Sequence, residues 1–268
     1  MRRKPSLPRV LLVAYCTMVF AFLMLPLFVV FPLSVSAATY LQFPPPGLSW
    51  RWFENYFGSP SWIAATAVSV EVACATALLA TLLGVPLAFY LTRGGPRTLT
   101  AAVDKLAVSP LIIPSIITAI VTYRLLAPYR MVGTKTALVL GHTILALPFV
   151  VVVVTAALRT FDTTLEAAAM GLGASRLRAV LRITLPQVTP SILSGALFAF
   201  IASFDDVIIS LYLSGANMTL PRKTFENIQF ALDPTIAAVS VLQILFVIAI
   251  GAVWFALPRS ARATPFMP

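Results

Sequence analysis

An all-α membrane protein with six transmembrane helices is predicted, and three observations predict it. Of 268 residues, 59% are hydrophobic and only 10% charged, whereas a soluble domain carries about 25% charged residues. Too little polar surface exists to coat a soluble globule. Six apolar runs, at residues 10–35, 62–91, 106–127, 136–157, 188–214 and 235–257, each approach the roughly 20 residues that cross a bilayer as a helix. Lys and Arg are denser in alternate connecting segments. The runs are long and continuous rather than short and alternating, which favours helices over barrel strands. One transmembrane domain covering residues 1–268 is expected.

The first run follows the basic start "MRRK", and Val35–Ala37 imitates a signal cleavage site. A signal peptide has an apolar stretch of only about 7–15 residues, so this run is read as a retained span. Leu41–Trp62 is rich in Pro, Trp, Phe and Tyr. It reads either as an interfacial aromatic belt or as an amphipathic segment on the outer surface. Pro86 in the second span, Pro110 and Pro114 in the third and Pro148 in the fourth predict broken or kinked helices. Gly215–Pro234 is a loop long enough to touch a partner or form a gate.

The formal charge of +10 reports orientation in such a chain, and no nucleic-acid partner is expected. With the N-terminus in the cytoplasm, thirteen of the nineteen Lys and Arg fall in inside segments, among them Arg2, Arg3, Lys4, Arg259 and Arg262. Five fall outside, and Arg124 lies within a span. This asymmetry predicts that both termini are cytoplasmic. Cys16 and Cys74 share no redox or metal-ligand spacing.

Residues 158–187 therefore form a cytoplasmic stretch between spans four and five. Thr163-x-x-Glu166 fits a capping box opening a short Ala-rich helix. Gly171 and Gly173 supply a stop, Gly173 being the better left-handed position. Ser175 caps a second helix, and Pro186 breaks the chain before span five. From its residues alone the stretch is equally a docking hairpin for an acidic partner or an ordinary basic loop.

"GLGASRLRAVLRITLP" resembles the EAA loop of ABC-importer permeases, whose pattern is EAA-x3-G-x9-I-x-L-P; Gly173, Ile183, Leu185 and Pro186 have the required spacing. "SPLIIPSIIT", "LGHTILALPFVV", "FAFIASFDDVIISLYLSG" and the outer "GLSWRWFENYF" are similar to segments of the second permease of spermidine/putrescine-type (PotC-like) importers. The similarity covers nearly the whole chain and implies a type I importer-like permease with a cytoplasmic coupling helix, in a bacterial inner membrane. It implies four kinds of neighbour: the lipid bilayer, a homologous second permease, two ATP-binding subunits and an extracytoplasmic substrate-binding protein. The coupling surface it implies is Glu166, Ala167, Ala168, Gly173, Ala174, Ser175, Arg176, Ile183, Leu185 and Pro186. In this chain the motif's glutamate position falls on Ala167, and the acid stands one residue early, about 100° round a helix. Glu166 is accordingly read as a cap that fixes the start of the docking helix.

No G-x-x-x-x-G-K-[ST] occurs, so ATP and magnesium are expected in the partner ATPases, with no cofactor in this chain. No G-x-S-x-G or paired-His motif supports catalysis. An ion-coupled secondary transporter is the runner-up, but no internal repeat supports it. Polyamines are the implied cargo; opines, amino-acid-like compounds, thiamine and ferric ion are the alternatives served by related permeases.

Ionisable residues inside spans are candidate pathway groups. On a continuous fifth span, Asp206 shares a stripe with Ser203 and Ser210, which predicts that Asp206 faces a cationic substrate and that Asp205 packs at an interface. Both aspartates serving as structural interface groups is the alternative. Glu71 lies roughly 13 Å along span two from its outer end, at a depth that Arg124 of span three can match. Either the two form a buried pair, or Glu71 is protonated or faces the pore alone. His142, the only histidine, is a poor metal site on its own and is expected to hydrogen-bond between helices.

Overall fold

The computed structural model describes residues 7–230 and 233–256. Arg2, Arg3, Lys4, Arg259 and Arg262 of the charge count, and the last residue of the sixth predicted span, lie outside them. The described chain is helical, with one isolated β-bridge between Ser36 and Leu48. Two units can be separated: one comprises the chain up to Ile63 together with Glu226–Gly251, the other Ala64–Phe225.

In the first unit, α1 (Leu7–Ser34) is a 28-residue apolar helix, and its most apolar 18-residue window buries none of its residues. The aromatic outer segment contains α2 (Arg51–Gly58). Arg51 lies 4.2 Å over the Trp52 ring and donates to the Ala38 carbonyl at 2.5 Å, and Trp52 Nε1 donates to the Ser36 carbonyl at 2.9 Å. Those bonds fold the Pro-rich stretch back onto the helix, giving a built cap rather than a loose loop. Asn55 of α2 donates to Thr235 at 2.7 Å, at the head of the last helix, Thr235–Ala256.

The second unit holds the remaining spans. Helix α3 (Pro60–Arg93) enters it at Ala64 and runs unbroken through Pro86. The third predicted span is two pieces: α4 (Arg97–Val108) with a 3₁₀ turn to Leu111, then α5 (Ser115–Leu126), bent by 102°. Pro110 sits in the 3₁₀ turn and Pro114 precedes α5. Two prolines so close remove amide donors and exclude helical backbone before each ring, so the predicted break occurs here. Helix α6 (Lys135–Thr160) is straight enough to count as one span despite Pro148. Short α7 (Thr164–Gly171) and α8 (Arg176–Ala179) follow.

Span five departs most from expectation. A π-turn, Val180–Thr184, joins α8 to α9 (Leu185–Phe204), so one helical rod runs from Arg176 to Phe204. Pro186 does not break the chain. The Leu185 amide reaches back five residues to the Val180 carbonyl, and that wider turn accommodates a ring that would clash in a regular helix. The interruption comes instead at Asp205–Val207, before α10 (Ile208–Leu213). Helix α11 (Leu220–Phe230) follows, and the last helix is α12. Among the described residues, five helices meet the length and apolarity of a span, six if the bent pair counts as one.

The unit's core is built on small residues. Val150 of α6 is wedged between Gly84 of α3 and Gly195 of α9: an added Cβ at Gly84 would lie 2.8 Å from Val150 Cγ1, and one at Gly195 would lie 3.1 Å from Val150 Cα. Around this point Ala80, Ala88, Ala146, Val154, Leu158 and Ala199 are all buried. With no water to squeeze out between spans, close backbone approach supplies the packing energy. Gly195→Leu is expected to force α6 and α9 apart and to destabilise the folded subunit by about 3 kcal/mol or more, seen as loss of monodisperse protein in detergent; a normal elution profile and melting curve would refute it. At the end of α6 that begins at Lys135, Gly215 (φ 53°) packs against Gly133, where an added Cβ would meet Gly133 Cα at 2.7 Å. Asn217 donates to the Gly133 carbonyl at 2.7 Å, and Ser69 accepts from the Leu220 amide at 2.7 Å. The long loop after span five is thereby fastened to α3 and to the start of α6.

Candidate coupling and pathway sites

The hairpin between α6 and α9 forms as predicted in outline and differs in its acid. Asp162, not Thr163, organises the start of α7. Its carboxylate accepts from the Thr164 amide at 2.9 Å and the Thr164 hydroxyl at 2.7 Å, and these bonds hold the Asp162 carboxyl below its usual range. Thr163 makes no side-chain cap, so the capping-box reading of Glu166 is overturned. Glu166 is buried. Its Oε1 accepts from Arg93 Nη1 at 2.5 Å and from the Thr184 hydroxyl. An acid beside a buried guanidinium gains more from that charge than from one exposed amide, which explains why it abandons the helix start.

The other end of α7 closes as expected. Gly173 has φ 89°, its amide bonds to the Met170 carbonyl at 3.0 Å, and the Ala174 amide bonds to Ala169 at 3.0 Å. These are the two bonds of a Schellman stop, and they need a residue with positive φ. Ser175 accepts from the Arg178 amide at 3.3 Å and caps α8. Of the predicted coupling residues, Ala167, Ala168, Gly173, Ser175, Arg176 and Pro186 are exposed, and Ala174, Ile183 and Leu185 are half-buried. Sequence reasoning missed Leu172, which is 91% exposed at the tip of the turn. It also missed Arg93 and Thr184, whose only signals were a basic residue ending span two and a hydroxyl before the motif's Leu-Pro.

The polar centre lies at the interruption of span five. His142 is buried and bridges it: Nδ1 is 2.7 Å from Ser203 Oγ of α9, and Nε2 is 3.3 Å from Ser210 Oγ of α10. The Ser210 hydroxyl donates to the Asp206 carbonyl at 3.2 Å. The imidazole therefore joins α9 to α10 across the interruption. Asp206 Oδ2 accepts from the Ile209 amide at 2.7 Å and lies 3.7 Å from His142 Nε2. The stripe argument assumed a continuous helix. With the helix interrupted, Ser203 and Ser210 are buried, Asp206 turns inward to the head of α10, and Asp205 is the exposed carboxylate. The expected interhelical role of His142 is what the structure shows.

Glu71 pairs with Lys135, the first residue of α6, rather than with Arg124. The start of α6 comes to α3 at this point and supplies the cation. Both side chains stay about half exposed.

Spanning helices packed through glycines, a polar interruption in one span and a capped hairpin continuous with that span make up a helical membrane protein, and comparison with known proteins gives its class. A family described as "Binding-protein-dependent transport system inner membrane component" matches residues 80–259. The chain belongs to this family. It is 31% identical over 241 residues to the spermidine/putrescine transport system permease protein PotC of Haemophilus influenzae, covering 88% of this chain and 92% of that one. It is 30% identical to the putrescine transport system permease protein PotI of Escherichia coli K12, covering 81% and 80%. Among solved structures, a bacterial ABC transporter involved in import of the acidic polysaccharide alginate matches with TM-score 0.72 and 13% identity over 96% of this chain and 100% of that one. The MetNI methionine ABC transporter matches with TM-score 0.61 and 20% identity, covering 76% and 99%. At those identities the structures speak for the fold alone.

Proposed function

We propose that this chain forms half of the pathway of an ATP-driven importer, paired with a homologous permease, served by two cytoplasmic ATPase subunits and supplied by an extracytoplasmic binding protein. Both termini and the hairpin lie in the cytoplasm. The observation that carries the reading is the hairpin itself: a capped, Schellman-stopped projection whose second arm is one rod with span five. Such a rod passes a push at its tip into the membrane without bending. ATP and magnesium are held by the ATPases, and this chain catalyses nothing.

The cargo is a polyamine or a related small organic cation. Similarity to PotC and PotI supports this, as does an exposed carboxylate, Asp205, at the interruption of span five. A carboxylate on a path flanked by low-dielectric helices attracts an ammonium more strongly than one in bulk water. Asp205→Asn is expected to cut putrescine or spermidine uptake about tenfold or more at equal expression, a loss of roughly 1.4 kcal/mol. Asp206→Asn should act mainly by loosening α10. The decisive measurement is binding of putrescine, spermidine, amino acids, ferric ion and molybdate by the cognate binding protein, followed by uptake in proteoliposomes. Binding of molybdate alone would sink the polyamine assignment, since a relative at 30% identity is a molybdenum transport permease.

A further inference from the structure

Arg93 is the last residue of α3. Its guanidinium stands 5.1 Å from the Phe89 ring and 5.6 Å from the Phe161 ring, and its Nη1 meets Glu166 of α7 at 2.5 Å. Thr184, fully buried at the end of the π-turn, gives its hydroxyl to the same carboxylate oxygen. Three elements therefore join at one atom: the end of α3, the docking helix and the rod of span five. The arrangement is a poor device for stability alone. The pair is withdrawn from water, and Arg93 Nη2 is buried without an acceptor among the described residues. A buried ion pair with an unfilled donor returns little net free energy. What it does supply is a fixed distance and direction between α3 and α7, enforced by a planar guanidinium held near two rings.

We propose that Arg93 is a positioning residue for energy coupling: through Glu166 it carries displacement of the docking hairpin into α3, while the Arg176–Phe204 rod carries the same displacement into span five. The inference rests on the coupling role proposed above. It places the hairpin's one glutamate inside the subunit, as a latch, and leaves Ala167, Ala168 and Leu172 as the face open to an ATPase. Glu166 is withdrawn from that open face: it is buried, and both donors hold its Oε1 inside the subunit.

The test uses the complete transporter in proteoliposomes, with Arg93→Gln, Glu166→Gln, the double variant, Thr184→Val and Thr184→Ser. Three quantities are read: ATPase subunits retained on purification, ATP hydrolysis stimulated by loaded binding protein, and substrate moved per ATP. The expected result is that each single charge variant retains its ATPase subunits but moves about tenfold less substrate per ATP, with the double no worse than either single, as for residues acting as a unit. Thr184→Val should shift the same ratio, and Thr184→Ser should not. These two keep both charges, so they decide the matter even if a charge variant fails to assemble. Loss of ATPase subunits with Glu166→Gln but not with Arg93→Gln would overturn the proposal, because Glu166 would then touch the ATPase. So would additive losses, or an unchanged ratio in Thr184→Val. If the unaltered transporter retains no ATPase, the coupling role itself fails, which is a separate outcome.

Discussion

Leu172→Asp is expected to abolish ATP-driven uptake while leaving the helix bundle intact. Leu172 is 91% exposed, between the end of α7 and Gly173, where an added Cβ would meet nothing within 4 Å. A leucine held out in water on a rigid Schellman turn loses almost no conformational freedom when a partner covers it. Burying it contributes about 1.5–3 kcal/mol. A carboxylate in its place must be desolvated as well, so ATPase association should weaken at least about a hundredfold, at 1.4 kcal/mol per factor of ten. The melting temperature of the isolated subunit should hardly move, because no contact inside the chain is lost. Co-purification of ATPase subunits with the variant, set against its thermal melt, checks both halves. Wild-type uptake by Leu172→Asp would remove the hairpin tip from the coupling surface.

The second large effect is expected at His142. Its two ring nitrogens hold Ser203 and Ser210 on opposite sides of the interruption in span five. Replacement by alanine leaves two buried hydroxyls without their partner and a cavity the size of an imidazole. Hydrogen bonds between membrane helices contribute only about 0.6 kcal/mol each on average. Two bonds plus the cavity term give about 3 kcal/mol. Loss on that scale, read by thermal unfolding in detergent, should come with increased protease cleavage or hydrogen exchange over residues 204–210. Ser203→Ala and Ser210→Ala should each show a smaller effect, and combining either with His142→Ala should be non-additive. A stable His142→Ala protein with unchanged exchange would mean that Asp206 alone secures α10.

Much of the architecture was legible beforehand because a bilayer leaves few choices. A span must satisfy its own backbone, so length and apolarity reveal helices directly. The two prolines near residue 112 announced a bend by removing donors, and Gly173 and Ser175 announced a stop and a start through backbone chemistry that is local. All of these depend on residues within one turn of each other. Pro86 and Pro148 show the limit: the same residue type stands inside unbroken helices, because the surrounding helices decide whether a freed carbonyl finds another partner.

The sequence by itself determined the class of protein, the spans and the hairpin, since each follows from composition or from short-range geometry. Only the tertiary structure decided what the charged groups do. Thr163-x-x-Glu166 is a valid cap by spacing, yet Glu166 turns away to Arg93, 73 residues distant in the chain. Glu71 takes Lys135 rather than Arg124 because the start of α6 reaches α3 there. Asp206 leaves its predicted stripe because the helix carrying it is interrupted. In each case several partners were compatible with local rules. Inside a packed bundle, a polar group goes to whichever partner the fold brings within reach, and for Glu166 and Glu71 that partner comes from an element far away in the chain.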